Sequence, residues 1–498
     1  MNVNPITRLD YPDPDVIRVE DTYYMVSTTM HFMPGCEILQ SFDLVHWEHA
    51  TYVYETLDHT DAQQLKSGQN IYGQGMWAAS LRYHEGRFYI CFVANDTRKT
   101  YLYTSEKIDG PWKKQLIEGF YHDGSLLFDE DGRNYIVYGN DEIWITELNE
   151  DLTAPKKDGL HRLLVSDHKN PELGYEGSHI QKINGYYYIF LIHSLRDRWM
   201  RTEACFYSDS LEGEFTGGDV LCDDRGYCGQ GVAQGGIVDT PDGKWYAMLF
   251  QDSGAVGRIP ILVPVTWKDH FPVFGQNGHV PEEIEVHSTR PEYIYQPLVG
   301  SDDFCNGLLP RWQFNHDPDP RYYHLDALQG TYTITTREVC TELTQAVNTL
   351  TQRMSYPSCA AEVTVDASAL KEGDVAGLCA LQGCYAAVGI TKHHGKYEVL
   401  MLDKKEDGIL DMTEGTVVES HQMDFRLEAD FCNMKDEARC YYRVNKGDWL
   451  PIGTVHKLYF KLDHFTGCRF GLFCYAAEET GGSACFRDFK YYDVDEIS

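Results

Sequence analysis

The sequence predicts an all-β protein: a five-bladed β-propeller over residues 1–295, then a β-sandwich over residues 301–498. Three observations carry this expectation. A strand–turn–strand phrase recurs five times before residue 295. The turns inside it suit tight hairpins. From about Ser301 the phrase stops, and alternating strands of another texture replace it.

The five copies are DVIRVEDTYYMVST, SLRYHEGRFYICFVA, SLLFDEDGRNYIVYG, HIQKINGYYYIFLI and GIVDTPDGKWYAMLF. Four carry Glu85-Gly86, Asp131-Gly132, Asn184-Gly185 and Asp242-Gly243, pairs that tolerate the positive φ of hairpin turns. The first uses Glu20-Asp21 and is one residue shorter. The strand after each turn is aromatic and β-branched, as strand propensity favours. Tyr24, Tyr89, Tyr135, Tyr188 and Tyr246 mark one position in each copy, at steps of roughly 45 to 65 residues. That is the size of a four-stranded propeller blade. An up-and-down sandwich is the rival reading of the same repeat.

Counting back twelve residues from these tyrosines gives Trp77, Asp123, Glu176 and Gln234; eleven back in the shorter first copy gives Asp13. Equivalent positions of all blades ring a propeller's axis, so these five side chains are expected at one mouth of the channel. Taken singly, each acid sits in ordinary turn chemistry, Pro-Asp13-Pro, His-Asp123-Gly and Tyr-Glu176-Gly. Three acids at one repeat position are harder to dismiss, because like charges held close cost free energy. Two carboxylates flanking a sugar are the usual apparatus of glycoside hydrolysis, one donating a proton and the other activating water or attacking. A third can tune the donor. Trp77 offers a flat apolar face to a sugar ring, or else packs in the core.

Composition narrows the alternatives. The 498 residues carry a formal charge of −33, which argues against nucleic acid, whose phosphates demand excess Lys and Arg. No apolar run is long enough to span a membrane, and the N-terminal residues show no secretion signal. The 15 cysteines include no CxxC pair, and ten lie from Cys305 onward. They are read as reduced, mostly buried thiols of a cytoplasmic protein.

The stretches NPITRLDYPDPDVIRVEDTYYMVSTT, PGCEILQSFDLVHWE, GMWAASLRYHEGRFYICF, DGSLLFDEDGRNYIVYG, YEGSHIQKINGYYYIF and GGIVDTPDGKWYAMLF, in this order, resemble glycoside hydrolase family 43, the β-xylosidases and α-L-arabinofuranosidases. The resemblance implies a five-bladed propeller and an inverting mechanism. It implies Asp13 as general base, Glu176 as general acid, and Asp123 as the residue that tunes and orients that acid. Arg258, in GRIPILVPVTW, resembles a substrate-contacting position; an exposed surface arginine is the competing reading. Where the family often has Asp-Pro-Ser, this chain has Asp123-Gly124-Ser125. No cofactor is required. Many members carry a fifth-blade His beside an axial calcium; Gln234 stands in its place here and puts that structural calcium in doubt.

After Ser301, the expected strands are GTYTITT, CAAEVTV, KYEVLML, DFRLEADF, ARCYYRV, KLYFKLDH, GCRFGLFCYAA and ACFRDFKYYDV. The region resembles the concanavalin-like domain of family β-xylosidases, which often lends a loop to narrow the propeller mouth. A second Pro-Asp-Pro, at Asp319, falls outside the repeat and is read as a turn. The expected function is an exo-acting inverting hydrolase releasing β-D-xylosyl ends from oligosaccharides, or an α-L-arabinofuranosidase. A non-catalytic carbohydrate-binding propeller is the alternative from another class. A retaining fructan hydrolase lacks its expected WMNDP opening here. A homo-oligomer is compatible with the sequence.

Overall fold

The five phrases form the hairpins of five four-stranded antiparallel sheets. The computed structural model describes residues 4–413 and 415–493. Blade I comprises Asp15–Val19, Thr22–Ser27, Gly35–Ser41 and Glu48–Tyr54; blade II comprises Met76–His84, Arg87–Ala94, Lys99–Ser105 and Lys113–Ile117. Blade III comprises Ser125–Phe128, Asn134–Asn140, Glu142–Leu148 and His161–Ser166. Blade IV comprises Glu176–Ile183, Tyr186–Ser194, Arg201–Ser208 and Thr216–Leu221; blade V comprises Ile237–Asp239, Trp245–Asp252, Arg258–Lys268 and Phe271–Phe274. The first strand of every blade lines the central channel. The five marker tyrosines pair with Ile17, Arg82, Leu127, Gln181 and Val238 on those inner strands.

Apolar clusters fill the wedges between neighbouring blades. The ring closes through the N-terminal segment, where Ile6 N–H donates to Pro260 O and Tyr11 N–H to Arg258 O, at 3.0 and 2.9 Å. No described helix is long and apolar enough to cross a membrane. All fifteen cysteines are free.

The second unit packs a nine-stranded sheet against a seven-stranded one. Its larger sheet borrows a propeller segment: Phe32–Met33 pairs with Gln313–Asn315. Arg353 of the sandwich is buried against blade I, 2.8 Å from Glu37, with its Nε donating to Asp10 O and its guanidinium over the Tyr11 ring. Truncating one partner of a buried pair strands the other, at a cost of about 3–5 kcal/mol. Arg353→Met is therefore expected to lower the denaturant midpoint clearly, and an unchanged midpoint would rule out this seam as a fastener.

One expected strand is absent. KLYFKLDH alternates like a strand, but its only strand residue is Lys457, the end of Leu450–Lys457. Leu458 anchors in the sandwich core while the following loop runs to the propeller mouth. The alternation reflects two different burial sites rather than one sheet face. Asp319 does lie in a turn, accepting from Tyr322 N–H through its carbonyl and pairing with Arg321.

Candidate active site

Asp13, Trp77, Asp123, Glu176, Gln234 and Arg258 all line one pocket of about 200 Å³ at the propeller mouth. The repeat position explains the convergence. Asp13, Asp123 and Gln234 have left-handed backbones, with φ of 53, 48 and 61°. Such values are uncommon outside glycine and turn each side chain out of its ladder toward the axis. Trp77 and Glu176 reach the pocket through bulges at the starts of their strands. Gly177 has φ of 64°, and a Cβ there would lie 2.7 Å from the Gln234 side chain, so this neighbour of Glu176 has to be glycine.

The acids differ in their surroundings. Asp13 is buried and accepts from Arg258 Nη1 and from Thr28 Oγ1, each at 2.6 Å. Arg258 also donates to Asp252, which accepts from Arg201 at 2.7 Å on its other oxygen. Burial works against the Arg258 charge, yet Asp13, Asp252 and Glu176 raise its pKa on balance. Arg258 is thus a buried partner of Asp13 as well as a pocket wall, not a surface arginine.

Asp123 accepts the Gly177 N–H at 2.9 Å. Burial, with help from the Glu176 and Asp13 charges, pushes its carboxyl up to about 6. Glu176 accepts from Asn140 at 3.1 Å. Burial pushes this carboxyl up as well, but His122, Arg201 and Arg258 outweigh it and the net direction is down. Gln234 donates its backbone N–H at 2.7 Å to Glu203, whose carboxyl burial raises far above the usual range.

His122, Arg201, Leu173, Leu462 and Phe465 complete the lining and were not singled out from the sequence. Arg201 was within reach of the repeat, because it opens the third strand of blade IV as Arg258 opens that of blade V. His122 stands beside a flagged acid. Phe465 comes from the sandwich loop; it covers the Arg258 guanidinium at 3.8 Å and meets Trp77 edge-on at 5.1 Å. Trp77 Nε1, His122 Nε2 and Arg201 Nη1 are buried donors without a hydrogen-bond partner in the protein.

The inner strands carry a cation of their own. The Arg82 guanidinium lies among the inner strands, donating to Asp15, Ser125 Oγ and the carbonyls of Leu126 and Ile180. His179 faces the other Asp15 oxygen at 3.0 Å. Both Asp15 oxygens are thus engaged within the protein.

Comparison with known proteins agrees with this architecture. Residues 3–272 match the model of glycosyl hydrolases family 43, and residues 301–492 match the β-xylosidase C-terminal concanavalin A-like domain. A solved structure described as a bifunctional GH43-CE protein of Bacteroides eggerthii is 42% identical, with a TM-score of 0.92. The match covers 99% of this chain but only 64% of that one. A β-xylosidase of Formosa agariphila is 26% identical, covering 99% of this chain and 89% of the relative. A xylosidase/arabinosidase of Butyrivibrio fibrisolvens is 24% identical over 99% of each. With both domain models matched in order and a pocket built on three carboxylates, the chain belongs to glycosyl hydrolase family 43.

Proposed function

We propose that the protein is an exo-acting, inverting glycoside hydrolase that releases terminal β-D-xylosyl residues from xylo-oligosaccharides. The observation that carries this reading is the pocket: three carboxylates and the unpartnered buried donors Trp77 Nε1 and Arg201 Nη1 converge on a space sized for one sugar ring. Buried donors seek acceptors, and a polyhydroxylated ring supplies them. At about 200 Å³ the pocket falls below the range usual for larger ligands. Leu462 and Phe465 narrow it, which supports cleavage at a chain end rather than within a chain.

In this reading Asp13, which accepts a hydrogen bond from Arg258, takes a proton from the attacking water. Glu176 gives its proton to the leaving oxygen. Asp123 tunes and orients Glu176. The free cysteines support action in a reducing compartment such as the cytoplasm.

The α-L-arabinofuranosidase reading stays alongside because the Butyrivibrio relative's name joins both activities. Comparing kcat/KM on xylobiose and on an α-L-arabinofuranoside separates the two, with the xyloside expected to be preferred. Activity on neither, with measurable sugar binding, would favour a binding propeller. Asp123→Asn supplies a further check. Ionised Asp123 raises the proton affinity of the groups around it, Glu176 and His122 alike, and so helps the site keep its acidic proton. Removing that charge lets the proton leave earlier, so the alkaline limb of the pH–rate profile should move to lower pH. An unmoved limb would remove the tuning role.

A further inference from the structure

The proposed chemistry needs a proton on Glu176, while the cations around the free pocket favour its carboxylate. His122 is placed to resolve this. Its Nε2 lies 3.5 Å from Asp123 Oδ2 and 3.7 Å from Glu176 Oε2, too far for an ordinary hydrogen bond to either. The atom is buried, has no other partner and belongs to a ring that lines the pocket. The groups facing it are Asp123, Glu176 and Asp13, with the Trp77 ring beside it. Burial opposes an imidazolium here, but those three acids outweigh it and push His122 up to about 9.

We propose that His122 is the proton reservoir of Glu176, passing its Nε2 proton to Oε2 when a sugar fills the pocket. The step breaks one N–H bond and forms one O–H bond. An imidazolium–carboxylate pair becomes a neutral imidazole and a carboxylic acid. Substrate entry drives this, because a dry site penalises an ion pair more than its neutral counterpart. Glu176 then protonates the leaving oxygen; after product release Asp13 returns to solvent the proton it took from the attacking water, and His122 takes one up from solvent. His122 acts through Glu176 and is a positioning residue rather than a catalytic one.

This inference rests on the hydrolase reading, and the test separates the two. His122→Phe and His122→Asn are compared with wild type on xylobiose, whose alkoxide leaving group needs a proton, and on p-nitrophenyl xyloside, whose phenolate does not. On xylobiose, kcat is expected to fall about 10²-fold, the lower end of acid–base contributions, while the aryl substrate is largely spared. Equal losses on both substrates, or no loss, would overturn the inference. Should neither variant fold, the wild-type alkaline limb decides: it should shift with temperature as an imidazole does, and a nearly athermal, carboxyl-like limb overturns the proposal. If wild type cleaves no glycoside, the hydrolase reading itself fails. If wild type is active, Glu176→Gln is inactive and His122→Phe is normal on xylobiose, only this inference fails.

Discussion

Glu176→Gln is expected to lower kcat on xylobiose by about 10²- to 10⁴-fold while the protein stays folded. The amide matches the carboxyl in shape, and its oxygen can still accept from Asn140. What it lacks is an acidic proton. The loss should shrink on p-nitrophenyl xyloside, since a phenolate departs without protonation. A uniform loss across leaving groups would mean that Glu176 binds or orients substrate instead. Near-wild-type turnover on xylobiose would remove it from the chemistry.

Asp13→Asn is expected to cost the same order, about 10²- to 10⁴-fold, but on both substrates alike. Water must lose a proton whichever group leaves, so a general base shows no leaving-group dependence. The fold should survive, because the oxygen of the introduced amide can still accept from Arg258, and Arg258 keeps Asp252. The two variants together thus separate base from acid by the pattern of loss. A leaving-group-dependent loss in Asp13→Asn would exchange the two roles, and steady-state kinetics on the paired substrates reads out either case.

Much of this site could be read from the chain because the propeller repeats its local chemistry. Turn pairs such as Asn184-Gly185 and the marker tyrosines obey short-range rules of φ and strand propensity, so their spacing survives in the sequence. That spacing placed Asp13, Trp77, Asp123, Glu176 and Gln234 on one ring, and the pocket contains all five. Contacts made by tertiary packing left no such trace. Nothing near Arg258 announces Asp13, which lies 245 residues away. Phe465 is hidden in a run that alternates like a strand while serving the sandwich core at Leu458 and the pocket at Leu462 and Phe465. His122 follows from neither rule, since its importance comes from Glu176, brought close by the next blade.

The central claim is that three carboxylates of one ring perform a single displacement, with Asp13 activating water opposite the bond that Glu176 protonates. Proton NMR of a freshly started reaction on a β-D-xyloside tests it most directly. The account predicts α-D-xylose as the first anomer to appear, with the β form growing in only by mutarotation. β-D-Xylose as the first product would contradict it, because retention requires a covalent intermediate and a nucleophile where this account places a general base.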